Sequence, residues 1–537
     1  MKLQHLLILT LVLVGGLAVA LGHQAQGAGP AITASRDLTD PEVRQVMHKV
    51  FNAQIRAATI WTDSLAVLCK GQPMFHLVRA RLQRELIPVD DEQKEVVKQL
   101  AQPLYDELDQ VIATCDARIK AGDTTPELRL YRGWAWMFSS HVHTYEKSFW
   151  SAGRDAKKGK EDLEWYLQQK PGEPVASSLM GAFLYFADTL PSAYKFVSKL
   201  LFLPSGDRDR GLQMMELAQG YDSIQETDNA LILYSVYLGF EGRFEEGLEG
   251  FSFLRRRFPR HATFVRPEAI MYPLLPRRGS AVGDSLDGAV TRLGRIPPKE
   301  TDHTTYTLIR FQRAYADRFY NPDRAITRFE QMIKENPEHP DWVASYSALE
   351  LGRILAQRGD KARAKEMWNR VVADVRAKYI HDEAKKMLSD LDKPPAATGA
   401  APSDVAAIYG TDVASRERVR AALEAVKDPT VADQFYLGEA WLMTGDEQKA
   451  LDAYTGAMNP KACAWDHSFQ MIAGSRAAEI LASRGEYKSA AKHYETAGSF
   501  WHKELYFDWL FESRKRYFER LDEGKESTPP TMLTKSR

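Results

Sequence analysis

Apolar residues recur along most of this chain at three- and four-residue steps, the period that turns one face of a helix toward a core. In LTDPEVRQVMHKVFNAQI the spacing predicts a helix capped at Asp40, with Pro41 as its first residue and Val43, Val46, Met47, Val50 and Phe51 on the inner face. VDDEQKEVVKQLAQPLYDELDQVIATCDARIKAGD predicts a second helix, starting at Asp90 and stopped by Gly122, a residue suited to a left-handed C-terminal turn. Segments of strict alternation joined by Asn-Gly or Asp-Gly turns are missing, so the expected fold is all-α.

One offset pattern repeats. Gly242 precedes Gly247 by five residues, Phe251 follows four later and Pro259 eight after that. Gly359, Ala364 and Trp368 repeat the spacing, as do Gly445, Ala450 and Tyr454, and Gly485, Ala490 and Tyr494. Gly206 stands before Gly211 in the same way. Without the leading glycine the pattern returns as Ala325, Phe329, Pro337 and as Gly159, Leu163, Pro171. Leu351-Gly352 and Leu437-Gly438 each lie upstream of a copy, the glycine seven residues before Gly359 or Gly445. The physical reading is a helical hairpin. A glycine turns the chain through the left-handed region, a small residue lets the second helix approach the first, a bulky one fills the space beside it, and proline stops the helix. A single hairpin cannot bury both faces, so hairpins stack.

At these residues the chain resembles the tetratricopeptide repeat family. The resemblance is best over 226–262, 343–376, 431–462 and 471–502, and it extends to 305–340, 127–172 and 174–219. It departs from the family in lacking, in most copies, the Trp that usually opens one, and in keeping no strict period. The resemblance implies an α-solenoid of stacked helical hairpins whose first helices line a concave face that grips an extended peptide or partner helix. Carried over by spacing, the lining is Trp134, Phe138, Tyr185, Phe186, Phe240, Arg310, Arg318, Arg353, Gln357, Phe435 and Glu439. Arginines there would pair with carboxylates of a protein or peptide partner.

Other features set the boundaries. Met1-Lys2 and the apolar run Leu6 to Leu21, followed by small residues, read as a secretory signal over 1–28, with an N-terminal membrane anchor as the alternative. The run is short for a membrane span, and a cleaved signal would leave no span. The expected location is accordingly periplasmic or otherwise in the cell envelope. A helical region over 37–125 precedes an irregular solenoid over 126–391. The Pro/Ala stretch 392–404 is a candidate linker to a C-terminal domain over 405–522, with a polar tail over 523–537. The copies from Gly133 to Gly159 and from Gly181 to Gly211 carry extra residues, expected as projecting insertions. The stretch 264–300, rich in Pro and Gly, marks a further discontinuity with room for a degenerate repeat.

Charge and chemistry narrow the function. Lys+Arg 71 against Asp+Glu 72 leaves a net charge of -1, so no global field draws in nucleic acid. Three cysteines, Cys69, Cys115 and Cys463, cannot supply a disulfide framework. The nucleotide-binding, nucleophile-elbow and zinc-helix motifs do not occur, and no cofactor is expected. The sole cluster with chemical promise is GWAWMFSSHVHTYEKSFW, 133–150. There His141, His143 and Glu146 would meet a metal if the segment were extended, which with a helical-toroid enzyme forms the alternative to a non-enzymatic scaffold.

Overall fold

The computed structural model describes residues 36–85, 87, 94–146, 148–189, 206–274, 279–296, 303–337, 340–392, 402–458, 467–500 and 507–526. The signal or anchor over 1–28, Asp90, Cys463 and most of the 392–404 stretch and of the polar tail lie outside the described residues. Among the described residues every regular element is a helix. The chain divides into two compact units. The first holds the described residues up to Val236 with Phe253–Phe264 and those of Arg295–His303; the second holds Tyr237–Ser252, Val265–Gly294 and the described chain from Thr304 on. Residues flanking the expected linker both belong to the second unit, where Tyr320 lies edge-on to Tyr409 at 4.8 Å, so the expected boundary at 392–404 does not coincide with this division.

In the first unit α1 (Asp40–Phe51), α2 (Ile55–Cys69), α3 (Pro73–Arg84) and α4 (Lys94–Lys120) precede two hairpins. These are α5 (Glu127–Tyr145) with α6 (Phe149–Gln169), and α7 (Pro174–Thr189) with α8 (Arg208–Gln219); α9 (Glu226–Val236) follows. The inner face of α1 is the one expected, with all five apolar residues buried. Its cap is Thr39 rather than Asp40: the Thr39 hydroxyl and backbone N–H both donate to Glu42, closing a capping box one residue earlier.

The hairpins close through small residues. A methyl on Gly211 would sit 2.6 Å from the Gly181 carbonyl, and one on Gly159 would sit 3.0 Å from that of Gly133. Leu130, Leu163, Tyr166, Val175, Ala176, Met180 and Leu184 then form one apolar core. The insertion expected between Gly133 and Gly159 does not project. It is absorbed into two long helices that meet through a short turn, because its apolar residues keep the helical period. Gly206 is a second correction. Its φ is not left-handed; it is small because a Cβ there would lie 2.0 Å from the Asp188 backbone nitrogen.

The second unit opens on a π-helical turn, Tyr237–Glu241, and the start of α10 (Phe244–Arg257). The discontinuity at 264–300 is mostly helical where described, in α11 (Ala262–Met271), a 3-10 turn at Tyr272–Leu274 and α12 (Gly279–Leu293), with a turn over 294–296. Hairpins follow: α13 (His303–Tyr320) with α14 (Pro322–Glu335), and α15 (Val343–Gln357) with α16 (Lys361–Ala373). After α17 (His381–Asp390), α18 (Pro402–Ile408) and α19 (Val413–Glu424) come α20 (Val431–Thr444) with α21 (Glu447–Ala457), α22 (Ser468–Ser483) with α23 (Tyr487–Ser499), and α24 (Phe507–Asp522).

The offset pattern is realised as expected in these hairpins. Gly242, Gly359, Gly445 and Gly485 all have left-handed φ, between 69° and 92°. Ala325, Ala364, Ala450 and Ala490 are fully buried, as are Phe329, Trp368, Tyr454 and Tyr494. Helices α10 and α14 end two residues before Pro259 and Pro337. The upstream glycines have a direct reason. A Cβ on Gly352 would fall 2.3 Å from the Trp368 indole nitrogen, and one on Gly438 2.5 Å from the Tyr454 ring.

Candidate functional site

The eleven positions expected to line a partner groove separate into two groups. In the second unit most are consumed by the protein itself. Arg318 is buried and donates to Glu350 at 2.5 Å and to the Ser468 hydroxyl at 3.0 Å. Arg353 is buried between Glu350 and Glu383 and pairs with both. Phe435 is buried against Phe319 and Phe469, with ring centroids at 5.9 and 5.3 Å. Glu439 is buried and accepts from the Tyr454 hydroxyl at 2.6 Å and from Arg476 Nε at 2.9 Å. Arg310, half-buried, donates to Glu335 at 2.6 Å. Gln357 on α15 and Phe240 on the π turn are half-buried.

These contacts repeat from hairpin to hairpin. Glu439 and Glu479 both stand six residues before a turn glycine, Gly445 or Gly485. Each accepts from the tyrosine fifteen residues on, Tyr454 at 2.6 Å or Tyr494 at 2.7 Å. Each also accepts from an arginine of the next first helix, Arg476 or Arg514, at 2.9 Å. Burial and the neighbouring carboxylate push both tyrosine hydroxyls well above their ordinary pKa, so they remain donors. Arg476 goes on to the Tyr320 hydroxyl and the Pro273 carbonyl, both at 2.8 Å. Arg514 reaches Glu245 at 3.0 Å and the Gly242 carbonyl at 2.7 Å, with its guanidinium 4.8 Å from the Phe244 and Phe518 ring centres. Charges on these first helices therefore form an internal Glu–Tyr–Arg ladder. Glu439 lies within it, and Arg318 and Arg353 are taken up by a separate cluster with Glu350 and Glu383, so these three are not offered to a partner's carboxylates, which corrects the expected lining there.

The first unit differs. Tyr185 is buried, edge-on to Phe186 at 5.4 Å, whereas Trp134, Phe138 and Phe186 are half-buried. On α5, Tyr131, Trp134 and Phe138 follow at three- and four-residue steps; on α7, Leu179, Phe183 and Phe186 do the same. Counted from Gly133 and Gly181, Tyr131 matches Leu179 and Phe138 matches Phe186. The two helices pack against each other, and Tyr131, Trp134, Leu179 and Phe183 rest on the core beneath. The result is an aromatic strip of half-buried side chains. Tyr131, Leu179 and Phe183 escaped the sequence reading, although their helical spacing marks them.

The histidine cluster is helical rather than extended, so His141 and His143 point to different partners. Tyr145 receives a hydrogen bond from Arg84 at 2.7 Å and donates to His141 Nε2 at 2.9 Å. Burial, with Arg84 and Arg81 nearby, pushes the His141 pKa down to about 3, so this imidazole is a neutral acceptor. His143 lies between two carboxylates, Glu146 at 3.2 Å from Nδ1 and Asp155 at 3.4 Å from Nε2. Burial alone would lower its pKa, but hydrogen bonds and charge from Asp155 and Glu146 raise it to about 9. The imidazolium then joins α5 to α6, with the Tyr105 hydroxyl of α4 at 2.9 Å. Among the described residues no three His, Cys, Asp or Glu side chains gather in a geometry that could hold a metal.

No family model matches the chain, and no curated protein matches it. Among solved structures it is similar to the human IFIT1 dimer with PPP-AAAA, at 14% identity over 79% of this chain and 94% of that one, with a TM-score of 0.27. It is similar to yeast Tom70 at 9% identity, covering 90% and 96% of the two chains, with a TM-score of 0.28. The TPR domain of P58(IPK) matches at 14% identity, over 75% and 99%, with a TM-score of 0.19. Scores this low carry no argument about activity or partners. On its own geometry, the chain is an all-α protein of stacked tetratricopeptide-like helical hairpins.

Proposed function

We propose that this chain is a non-enzymatic binding scaffold, exported to the cell envelope, that holds a protein or peptide partner against the aromatic strip of α5 and α7. The observation that carries the proposal is the contrast between the two groups of lining residues. First-helix charges in the second unit are satisfied internally, whereas the first unit keeps Trp134, Phe138 and Phe186 half-buried, the last two at the same offset from Gly133 and Gly181. Half-exposed Trp, Tyr and Phe on a rigid helical face are the residue types that anchor protein interfaces. A partner suited to it is an amphipathic helix or extended segment with apolar side chains at matching steps. Export rests on the apolar run Leu6 to Leu21 and the small residues after it. The rival toroid enzyme needs acids or histidines converging on one open pocket, and His143 is instead clamped between Glu146 and Asp155.

The test is affinity capture from an envelope fraction, followed by titration of the purified partner against the wild type and Trp134→Ala, Phe138→Ala and Phe186→Ala. Loss of about 2 kcal/mol in at least one variant, roughly thirtyfold in Kd, is expected of an anchor residue. Wild-type affinity in all three removes the strip as the site.

A further inference from the structure

Helix α2 exposes two large apolar residues, Ile60 and Val67, on the side opposite its buried small ones. Its buried positions are Ala58, Thr62 and Cys69, with the Thr62 hydroxyl turned back to the Ala58 carbonyl at 2.8 Å. Ile60 is 60% exposed and Val67 68% exposed, two helical turns apart on the same stripe. Arg56 and Lys70 continue that stripe at either end, both exposed. The one acid between them, Asp63, pairs with Arg79 at 2.6 Å, a guanidinium it shares with Glu107. Trp61, Leu65 and Leu68 flank the stripe, half-buried. A second observation concerns what arrives there. The backbone N–H of Arg36 donates to the Leu68 carbonyl at 3.1 Å, so the described chain starts against the C-terminal end of α2. Where the N-terminal run is retained, the fifteen residues from Leu21 to Arg36 reach at most ~50 Å, which bounds its distance from this helix.

We propose that the outward face of α2 is an interfacial docking surface for an anionic lipid bilayer. Ile60 and Val67 would enter the acyl boundary, Arg56 and Lys70 would meet lipid phosphates, and Trp61 would lie at headgroup level. Charge disfavours a second copy of the chain, because antiparallel pairing of two α2 helices brings Arg56 of one against Lys70 of the other. The cationic ends equally suit an anionic surface better than the Leu-rich N-terminal run folded back upon them.

The full-length chain is sedimented with phosphatidylcholine vesicles, with and without phosphatidylglycerol. Binding that requires phosphatidylglycerol is expected, at least ~tenfold weaker in Ile60→Glu/Val67→Glu. Arg56→Glu/Lys70→Glu weakens it as well and removes most of its salt dependence. All four positions are exposed, so thermal unfolding stays as in the wild type; were the apolar pair to misfold, the charge pair carries the test. Wild-type binding by either double variant overturns the proposal. So does binding lost in Leu13→Arg but kept in Ile60→Glu/Val67→Glu, which assigns the contact to the N-terminal run alone. A dimer that Ile60→Glu/Val67→Glu dissociates assigns the face to a second copy and overturns it too.

Discussion

Replacing Arg514 by Met would remove the cation from the last rung of the ladder while roughly keeping side-chain volume. Arg514 is fully buried, and it is the shared partner of two buried carboxylates, Glu245 and Glu479. Burial and the proximity of Glu479 already hold the Glu245 carboxyl above its ordinary pKa even with the arginine present. Without it two like charges face each other in a low-dielectric interior, and the Gly242 carbonyl loses its donor. Breaking a buried pair from one side costs about 3–5 kcal/mol. At about 2–4 °C per kcal/mol, the melting temperature of the second unit should fall by roughly 6–20 °C. The loss also has a pH signature. The stranded carboxylates take up protons as pH drops, so the deficit of Arg514→Met against wild type should shrink from pH 7 toward pH 5. Calorimetry over that range reads both effects. A deficit under about 1 kcal/mol, or one independent of pH, refutes the view that the ladder charges are structural.

Gly438→Ala should cost about 1–3 kcal/mol because the new methyl meets the Tyr454 ring, whereas Gly445→Ala should cost about 1 kcal/mol from its φ of 92° alone, with open space around it; urea unfolding ranks the two. His141, held down to about 3, contributes stability that is present above its unfolded value of about 6.5 and lost as pH falls toward 3. His143, raised to about 9, contributes stability that is complete below about 6.5 and lost as pH rises through 9. The first unit should therefore be most stable near pH 6.5, and His143→Gln should flatten the alkaline side of that profile. Cys115 is buried, with its thiol pushed up to about 12, so native protein should resist iodoacetamide there until it is unfolded, as mass spectrometry of the alkylated peptide would report.

The hairpins were legible because their chemistry is local. Gly359, Ala364 and Trp368 state a turn, a close approach and a filled gap within ten residues, and the structure places all three as read. The direction of the first-helix side chains was not legible, since it depends on what the neighbouring first helices bring. Nothing within one copy tells whether Arg353 faces solvent or is held between Glu350, one turn before it, and Glu383, thirty residues after it. A signal existed in the equal offsets of Glu439 and Glu479 from their turn glycines, but it means burial only once Arg476 and Arg514 are seen to answer them. The 133–150 stretch misled for a different reason. Its surplus length suggested a projecting loop, yet the extra residues keep helical period and lengthen α5 and α6.

Photo-crosslinking in living cells tests the central claim most directly, with benzoylphenylalanine placed at Phe138 or Phe186 and, as the control, at buried Phe435. The account predicts one discrete protein adduct at each strip position, lost when Trp134→Ala is added, and none at Phe435. No adduct at either strip position, or one that Trp134→Ala leaves unchanged, would contradict it.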